Sequence, residues 1–171
     1  MNDFIKTLCS RASCKKFKPQ PVSDADLQPI VEAGLHAPSG MNKQSPVIVV
    51  IRDQDTVRKL AKLNALGREG VNTFYDAPTG LVVLADRAAG TCLYDGSLTM
   101  GNLLNAAYSA GLGARWIHRA KEVFDSEEGK ALLREWGVEG DYEGVGNCII
   151  GYPDMELAPQ PIREGRVFYV G

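Results

Sequence analysis

A ten-residue segment with a proline near each end constrains this chain more than any other stretch: residues 37–46, APSGMNKQSP. Pro38 and Pro46 prevent a helix from running through it, and Gly40 allows backbone conformations that are closed to other residues. The segment joins a helix-like stretch to the first strongly apolar run, Val47–Ile51. It carries short polar groups on this constrained backbone, at Ser39, Asn42 and Gln44. Such groups could bind a polar planar ring by hydrogen bonds. The same composition is equally typical of a loop that only connects a helix to a strand.

Apolar periodicity predicts the elements on both sides of this segment. Ser23 is a natural N-cap, and the apolar residues after it recur at helical spacing as far as Leu35. Further helices are predicted over residues 4–10 and 97–110, from a cap within residues 53–56 through about Leu66, and from Asp125 or Ser126 to an end just before Gly137. Strands are predicted over residues 47–51, 81–85, 113–118, 145–152 and 167–170. The first strand is expected to be buried on both faces, and residues 86–96 are expected to be polar and exposed.

The absence of repeats and linkers in this pattern predicts one α+β domain over residues 1–171, with helices flanking a central mixed or antiparallel sheet. The net charge of −2 leaves no basic field that would recruit nucleic acid. No apolar run approaches the roughly 20 residues of a membrane helix, and the first residues lack a signal-peptide core. The cysteines form no CxxC pair and no metal-ligand spacing: Cys9, Cys14, Cys92 and Cys148. We therefore expect reduced thiols, no metal site and a cytoplasmic protein without nucleic acid or membrane partners.

A second candidate site is the basic segment Arg11–Phe17, which carries cations and a hydroxyl within five residues. The planar guanidinium of Arg11 can grip a phosphate or a carbonyl edge, and Lys15 supplies a compact charge. Such a cluster is equally compatible with a solvated face. Cys14 lies among these cations, but no base is paired with it, so nucleophilic catalysis is not expected.

Six stretches together resemble the nitroreductase family, flavin enzymes that hold FMN at a dimer interface. Residues 37–46 resemble the family's APSG-x-N-x-Q-P signature, and residues 11–17 resemble its R-x-S-x-[RK]-x-F opening. The other stretches follow in the family's order: residues 72–78, 95–107, 111–117 and 146–153. Each motif is loose alone, but their order and spacing together are specific.

The resemblance implies a three-layer fold and an intertwined homodimer, with the apolar helix at residues 97–110 expected at the subunit interface. It also implies FMN as the cofactor. The positions that match the family's FMN contacts are Arg11, Ala12, Ser13, Lys15, Pro38, Ser39, Gly40, Asn42, Gln44, Trp116, Ile117, His118, Arg119, Arg163 and Arg166. Those at the start of the chain would hold the ribityl phosphate and the pyrimidine edge, Ala12 through its backbone.

The resemblance further assigns the backbone N–H of His118 as the donor to flavin N5, where hydride arrives and leaves. A fixed N–H at this point would stabilise developing charge without reorganising. His118 as a general base is the alternative, and Trp116 is equally compatible with a plain core residue. No side chain is assigned as a catalytic acid or base, because the flavin carries the chemistry.

The chain departs from the family pattern at two points. Relatives often carry Arg or His where Ala12 stands, and two residues separate Arg163 from Arg166 where the family has one. Either arginine could therefore hold the phosphate, and a contact between Asn72 and the flavin is also left open.

The activity implied by the resemblance is hydride transfer from NAD(P)H, through flavin N5, to an electron-poor acceptor such as a nitroaromatic or a quinone. The glycines around Gly111 follow a helix and precede a strand, so they do not form a dinucleotide fingerprint. A nicotinamide substrate would have to stack on the flavin. The alternatives are reductive dehalogenation, flavin breakdown, storage or sensing of FMN without turnover, and a fold that has lost its cofactor.

Overall fold

A computed structural model describes all residues, 1–171. Its six α-helices are α1 (Asp3–Ser10), α2 (Asp24–Leu35), α3 (Gln54–Asn64), α4 (Cys92–Ser109), α5 (Ala120–Asp125) and α6 (Glu127–Glu135). Its four strands are β1 (Pro46–Ile51), β2 (Thr79–Asp86), β3 (Gly113–Ile117) and β4 (Tyr142–Gly151). A single 3₁₀ turn, Gly40–Asn42, lies between α2 and β1.

The strands form one antiparallel sheet in the order β1-β2-β4-β3. The two central strands, β2 and β4, are buried along most of their length. A bulge interrupts their pairing between Val83 and Leu84. The predicted α+β class with a central sheet is thus confirmed, and the sheet is antiparallel throughout.

Helices cover both faces of the sheet, because successive side chains of β2 point to opposite sides. Leu81 and Val83 join a cluster that contains Met100 and Leu103 of α4 and residues of α2. Val82 and Leu84 join a second cluster with α3, α5 and α6. The result is the predicted three-layer arrangement, helices–sheet–helices.

Side-chain caps explain where four of the helices begin. Asn2 accepts a hydrogen bond from the backbone N–H of Ile5 at the start of α1. Ser23 accepts a hydrogen bond from the backbone N–H of Asp26 at the start of α2, as the sequence predicts. Asp53 accepts from the N–H of Thr56 at the start of α3. Ser126 accepts a hydrogen bond from the N–H of Gly129 at the start of α6, and this cap separates α6 from α5. The short helix α5 was not predicted by the sequence pattern.

Two expectations about burial are wrong. Residues 86–96 are not an exposed polar stretch, because α4 begins at Cys92 and buries Asp95 and Gly96. β1 is not buried on both faces, because it is an edge strand whose residue Val50 is exposed. Both errors have one cause: burial depends on neighbours that lie far away in the sequence.

The predicted terminal strand at residues 167–170 is also wrong. Residues 156–171 form no secondary structure and no backbone hydrogen bond within the chain. Leu157 packs partly against the core, whereas the apolar side chains of residues 167–170 are exposed, with Phe168 at 85% and Tyr169 at 94%. A strand needs a neighbouring strand to pair with, and the chain offers none at this position.

Further apolar surface is exposed on α1 and on the outer face of α4. α1 buries none of its residues and exposes Phe4, Ile5 and Leu8. The first turns of α4 expose Leu93, Tyr94 and Leu98, although the opposite face of the same helix is buried. α4 is therefore not covered all round by its own chain. None of the helices has both the length and the apolar character needed to span a bilayer.

Candidate functional site

The segment from Ser39 to Ser45, which we call the polar loop, has a backbone bent by three left-handed residues. The φ angles are 52° at Met41, 54° at Asn42 and 50° at Gln44, a region that residues other than glycine rarely adopt. Inside the loop, the Ser39 hydroxyl accepts the backbone N–H of Gln44 at 2.9 Å. The side chains of Asn42 and Gln44 are exposed, so the loop presents polar groups outward.

The polar loop is fixed to the protein by Asp95, in the first turn of α4. One carboxylate oxygen of Asp95 accepts the backbone N–H of Gly40 at 2.9 Å. The other accepts the hydroxyl of Ser45 at 2.7 Å and that of Thr91 at 3.0 Å. The side chain is buried, at 2% exposure. Burial alone would raise the pKa of Asp95, but these hydrogen bonds and the charge of Lys43 bring the pKa below its ordinary value.

The sequence pattern alone does not reveal this role of Asp95. The signal available was an acidic residue just before a long apolar stretch, where a helix begins and where it is stabilised by the helix dipole. That signal predicts where the helix starts, but it does not predict which groups donate hydrogen bonds to Asp95. Gly40 and Ser45 lie 50 or more positions away in the sequence.

The first part of the basic segment, Arg11–Lys15, runs alongside β3. The N–H of Cys14 donates to the carbonyl of Ala114 at 3.0 Å, and Ser13 forms a bridge with the same residue. Cys14 is buried, whereas the flanking Ser13 and Lys15 are exposed. Burial raises the pKa of the Cys14 thiol, which fits a packing role and not that of a nucleophile.

Two cations of this segment have no carboxylate partner within the chain. Neither Arg11 nor Lys15 forms an ion pair, whereas the adjacent Lys16 is paired with Asp154 at 2.8 Å. Unpaired cations held on a sheet edge are free to bind an anion. A guanidinium and an ammonium can both bind the oxygens of a phosphate or a carboxylate.

The end of β3 presents a backbone donor to solvent. His118 is exposed, and its backbone N–H makes no hydrogen bond within the chain. Arg119 follows in the left-handed conformation, with φ at 79°, and its guanidinium lies 3.7 Å from the carboxylate of Glu122. The His118 imidazole has no hydrogen-bond partner that would make it a general base.

The two residues before His118 are less accessible. Ile117 is buried in the cluster around Phe124. Trp116 packs over Gly146, where an added Cβ would lie 2.3 Å from the indole nitrogen. This packing favours the interpretation of Trp116 as a core residue. Its buried indole N–H has no acceptor.

The predicted site residues therefore fall into separate groups within one chain. No hydrogen bond joins residues 37–44 to Arg11–Lys15 or to His118–Arg119. Arg163 and Arg166 lie in the exposed tail, away from any element. Pro38 is exposed and Ala12 partly buried, and neither side chain can offer a hydrogen bond.

A cavity of about 1000 Å³ lies beside α3, between residues 65–72 and helices α5 and α6. Its walls carry both signs of charge, with Lys62 and Arg68 on one side and Glu122 and Glu128 on another. Asn72 lines it, but none of the predicted FMN contacts does.

Comparisons with known proteins agree on one family. A sequence model described as "Nitroreductase family" matches residues 8–68. A protein of Archaeoglobus fulgidus, provisionally named an NADH dehydrogenase/NAD(P)H nitroreductase, is 28% identical over 91% of this chain and 88% of its own. A nitroreductase of Desulfitobacterium hafniense with bound FMN has a TM-score of 0.90 at 26% identity, over the whole of both chains. One of Bacteroides fragilis with bound FMN has a TM-score of 0.92 at 22% identity, again over both whole chains.

Proposed function

Since this chain has the sequence signature and the fold of the nitroreductase family, we propose that it is an FMN-dependent oxidoreductase. It would take hydride from NAD(P)H and pass it to an electron-poor acceptor such as a nitroaromatic or a quinone. The observation that carries the proposal is the pair of unpaired cations, Arg11 and Lys15, on the segment that runs alongside β3, the strand that is followed by the free N–H of His118. The two solved relatives named above, whose folds match over the whole chain, contain FMN.

These groups fit a phosphorylated flavin. Arg11 and Lys15 would bind the phosphate and the electron-rich edge of the ring, with the Ser13 hydroxyl as a further donor. The polar loop would supply the amide groups of Asn42 and Gln44, which can both donate and accept hydrogen bonds. Arg163 and Arg166 remain predicted phosphate contacts that must come from the tail.

The backbone N–H of His118 would orient the ring from the end of β3. Bound FMN would supply the redox chemistry, accepting and releasing hydride at N5. A backbone donor is fixed by the strand before it, so it stabilises charge at its acceptor without moving. The imidazole of His118 needs no role in this arrangement.

We further propose that the site is completed in a homodimer. Within one chain, no hydrogen bond joins the polar loop to the Arg11–Lys15 segment. In the dimer, the polar loop of one subunit would therefore face the Arg11–Lys15 segment of its partner. The exposed apolar residues of α1 and α4 supply a surface for such an interface. β1 has an unpaired edge, and the apolar tail at residues 167–170 would add a strand to that edge of the partner's sheet.

The function is tested on the purified protein by its absorbance spectrum and by anaerobic titration with NADH and with NADPH. We expect bound FMN, bleaching by at least one nicotinamide, and recovery of the colour when a nitroaromatic or a quinone is added. Bound FMN that neither nicotinamide reduces would instead indicate storage or sensing. A protein that binds no FMN would refute the proposal.

The shared site is tested by mixing two inactive variants, Arg11→Ala and Asn42→Ala. A mixed dimer has one site in which both residues are intact, so FMN binding and activity should return to about half of its sites. Subunit exchange is verified by mass spectrometry of the intact dimer. Exchange without any recovery would contradict the shared site.

A further inference from the structure

One buried carboxylate holds both ends of the polar loop. Asp95 accepts the Gly40 N–H, at the start of the loop, on one oxygen and the Ser45 hydroxyl, at its end, on the other. Thr91, the residue before α4, adds a third hydrogen bond to the second oxygen. The loop is thus closed on a single side chain of a different element.

The loop needs such a restraint, because its backbone is strained between these two ends. Met41, Asn42 and Gln44 all have positive φ, and strained residues of this kind persist only where their surroundings hold them. An ionised acceptor forms roughly twice as strong a hydrogen bond as a neutral one. Asp95 is therefore a stronger restraint than a neutral side chain of the same shape.

The surroundings of Asp95 contain few charges. The groups that face it are the Gly40 amide, the two hydroxyls of Ser45 and Thr91, and the charge of Lys43, which belongs to the loop itself. No arginine or lysine forms an ion pair with Asp95. The carboxylate is therefore compensated by the loop and by the residue that precedes its own helix.

We propose that Asp95 is the positioning residue of the polar loop, which it holds in the shape that binds the flavin ring. The cofactor part of this inference rests on the proposed function. Asp95 lies behind the loop and acts through Gly40 and Ser45, so it is not a catalytic residue.

The direct test is Asp95→Asn, which keeps the size of the side chain but removes the charge and replaces one acceptor oxygen by a donor. At least one of the three donors then loses its best acceptor. In cofactor-free protein, we expect amide hydrogen exchange at Gly40 to accelerate about tenfold, while exchange in β2 and β4 stays unchanged. FMN affinity should fall by a similar factor.

A second variant keeps the test decisive if Asp95→Asn fails to fold. Thr91→Val removes one of the hydrogen bonds, and we expect it to have the same effects in weaker form. Its matched control is Thr99→Val, which changes a buried threonine two turns further along the same helix and away from the loop. At saturating FMN, Asp95→Asn and Thr91→Val should alter the visible circular dichroism of bound FMN, whereas Thr99→Val should not.

The outcomes separate this inference from the proposed function. Wild-type protein that binds no FMN would refute the function, but the exchange rate at Gly40 would still report whether Asp95 holds the loop. Unchanged exchange at Gly40 and an unchanged dichroism band in both Asp95→Asn and Thr91→Val would overturn the inference. A general loss of protection, equal in β2, β4 and the loop, would also overturn it.

Discussion

The substitution Gly40→Ala offers a sharp test of the contact between the polar loop and the start of α4. A Cβ added at Gly40 would lie 2.3 Å from Thr91 Oγ1, 2.9 Å from its Cγ2 and 3.0 Å from its Cβ. Side-chain carbons do not approach oxygen this closely, so either Thr91 must rotate or the loop must move. Rotation breaks the hydrogen bond from Thr91 to Asp95, and movement breaks the one from the Gly40 N–H.

The expected cost follows from the hydrogen bond that is lost. A hydrogen bond to a charged acceptor contributes about 1.5–3 kcal/mol to the free energy of unfolding. For a chain of this size each kcal/mol lowers Tm by about 2–4 °C, so Gly40→Ala should lower Tm by roughly 3–12 °C. Thr91→Ala loses the same hydrogen bond and should cost about as much. The double variant should cost little more than Thr91→Ala alone, because the two closest contacts are then gone.

The assay is thermal and urea unfolding of the cofactor-free protein at one fixed protein concentration. Gly90→Ala is the matched control, since it changes the neighbouring loop glycine without positive φ and without any atom within 4 Å of the new Cβ. We expect the control to be within about 0.5 kcal/mol of wild type. Additive costs in the double variant, or a Gly40→Ala protein as stable as the control, would refute the proposed clash.

Three further predictions concern binding, acid stability and thiol chemistry. Arg11→Ala should weaken FMN binding about ten- to a hundredfold with the fold intact, whereas Arg134→Ala, an exposed arginine on α6, should leave it unchanged; fluorescence titration measures both. Because the folded-state pKa of Asp95 lies below its ordinary value, its stabilisation is present above about pH 4 and is lost as pH falls through the folded-state pKa. As pH falls, the free energy of unfolding should therefore decrease less steeply in Asp95→Asn than in wild type. Equal slopes in the two proteins would contradict the lowered pKa of Asp95. Burial raises the pKa of Cys148 to about 12, so iodoacetamide at pH 8 should label exposed Cys9 in the native protein and leave Cys148 unlabelled, as peptide mass spectrometry would record.

Local sequence signals predicted the elements whose causes are local. The Ser23 cap and the helical spacing after it gave α2, because capping and amphipathic periodicity act within a few residues. The β-branched runs gave β1, β2 and β4 to within three residues at each end. α5 was missed because six residues are too few for a helical period to show.

The errors concern features whose causes lie far away in the sequence or outside the chain. Asp95 is buried because Gly40, Ser45 and Thr91 surround it, and two of these come from another element. Residues 167–170 have strand-like composition, but whether they form a strand depends on a neighbour that a single chain does not supply. The site residues assigned by resemblance, including His118 and Arg163, stay predictions.

The first turns of α4 place two different demands on a few adjacent positions. Toward the protein, Asp95 holds the polar loop, and Gly96 leaves no room for a side chain, because a Cβ there would lie 2.5 Å from Val145. Toward solvent, Leu93 is 46% exposed and Tyr94 is 74% exposed. In a saturation library over residues 91–98, the inward positions should reject nearly every substitution in a screen for folded monomer. The outward positions should accept most substitutions in that screen. Substitutions there that weaken the interface would be detected only in a second screen for dimer assembly. Comparing the two screens would therefore show which positions the fold constrains and which the interface constrains.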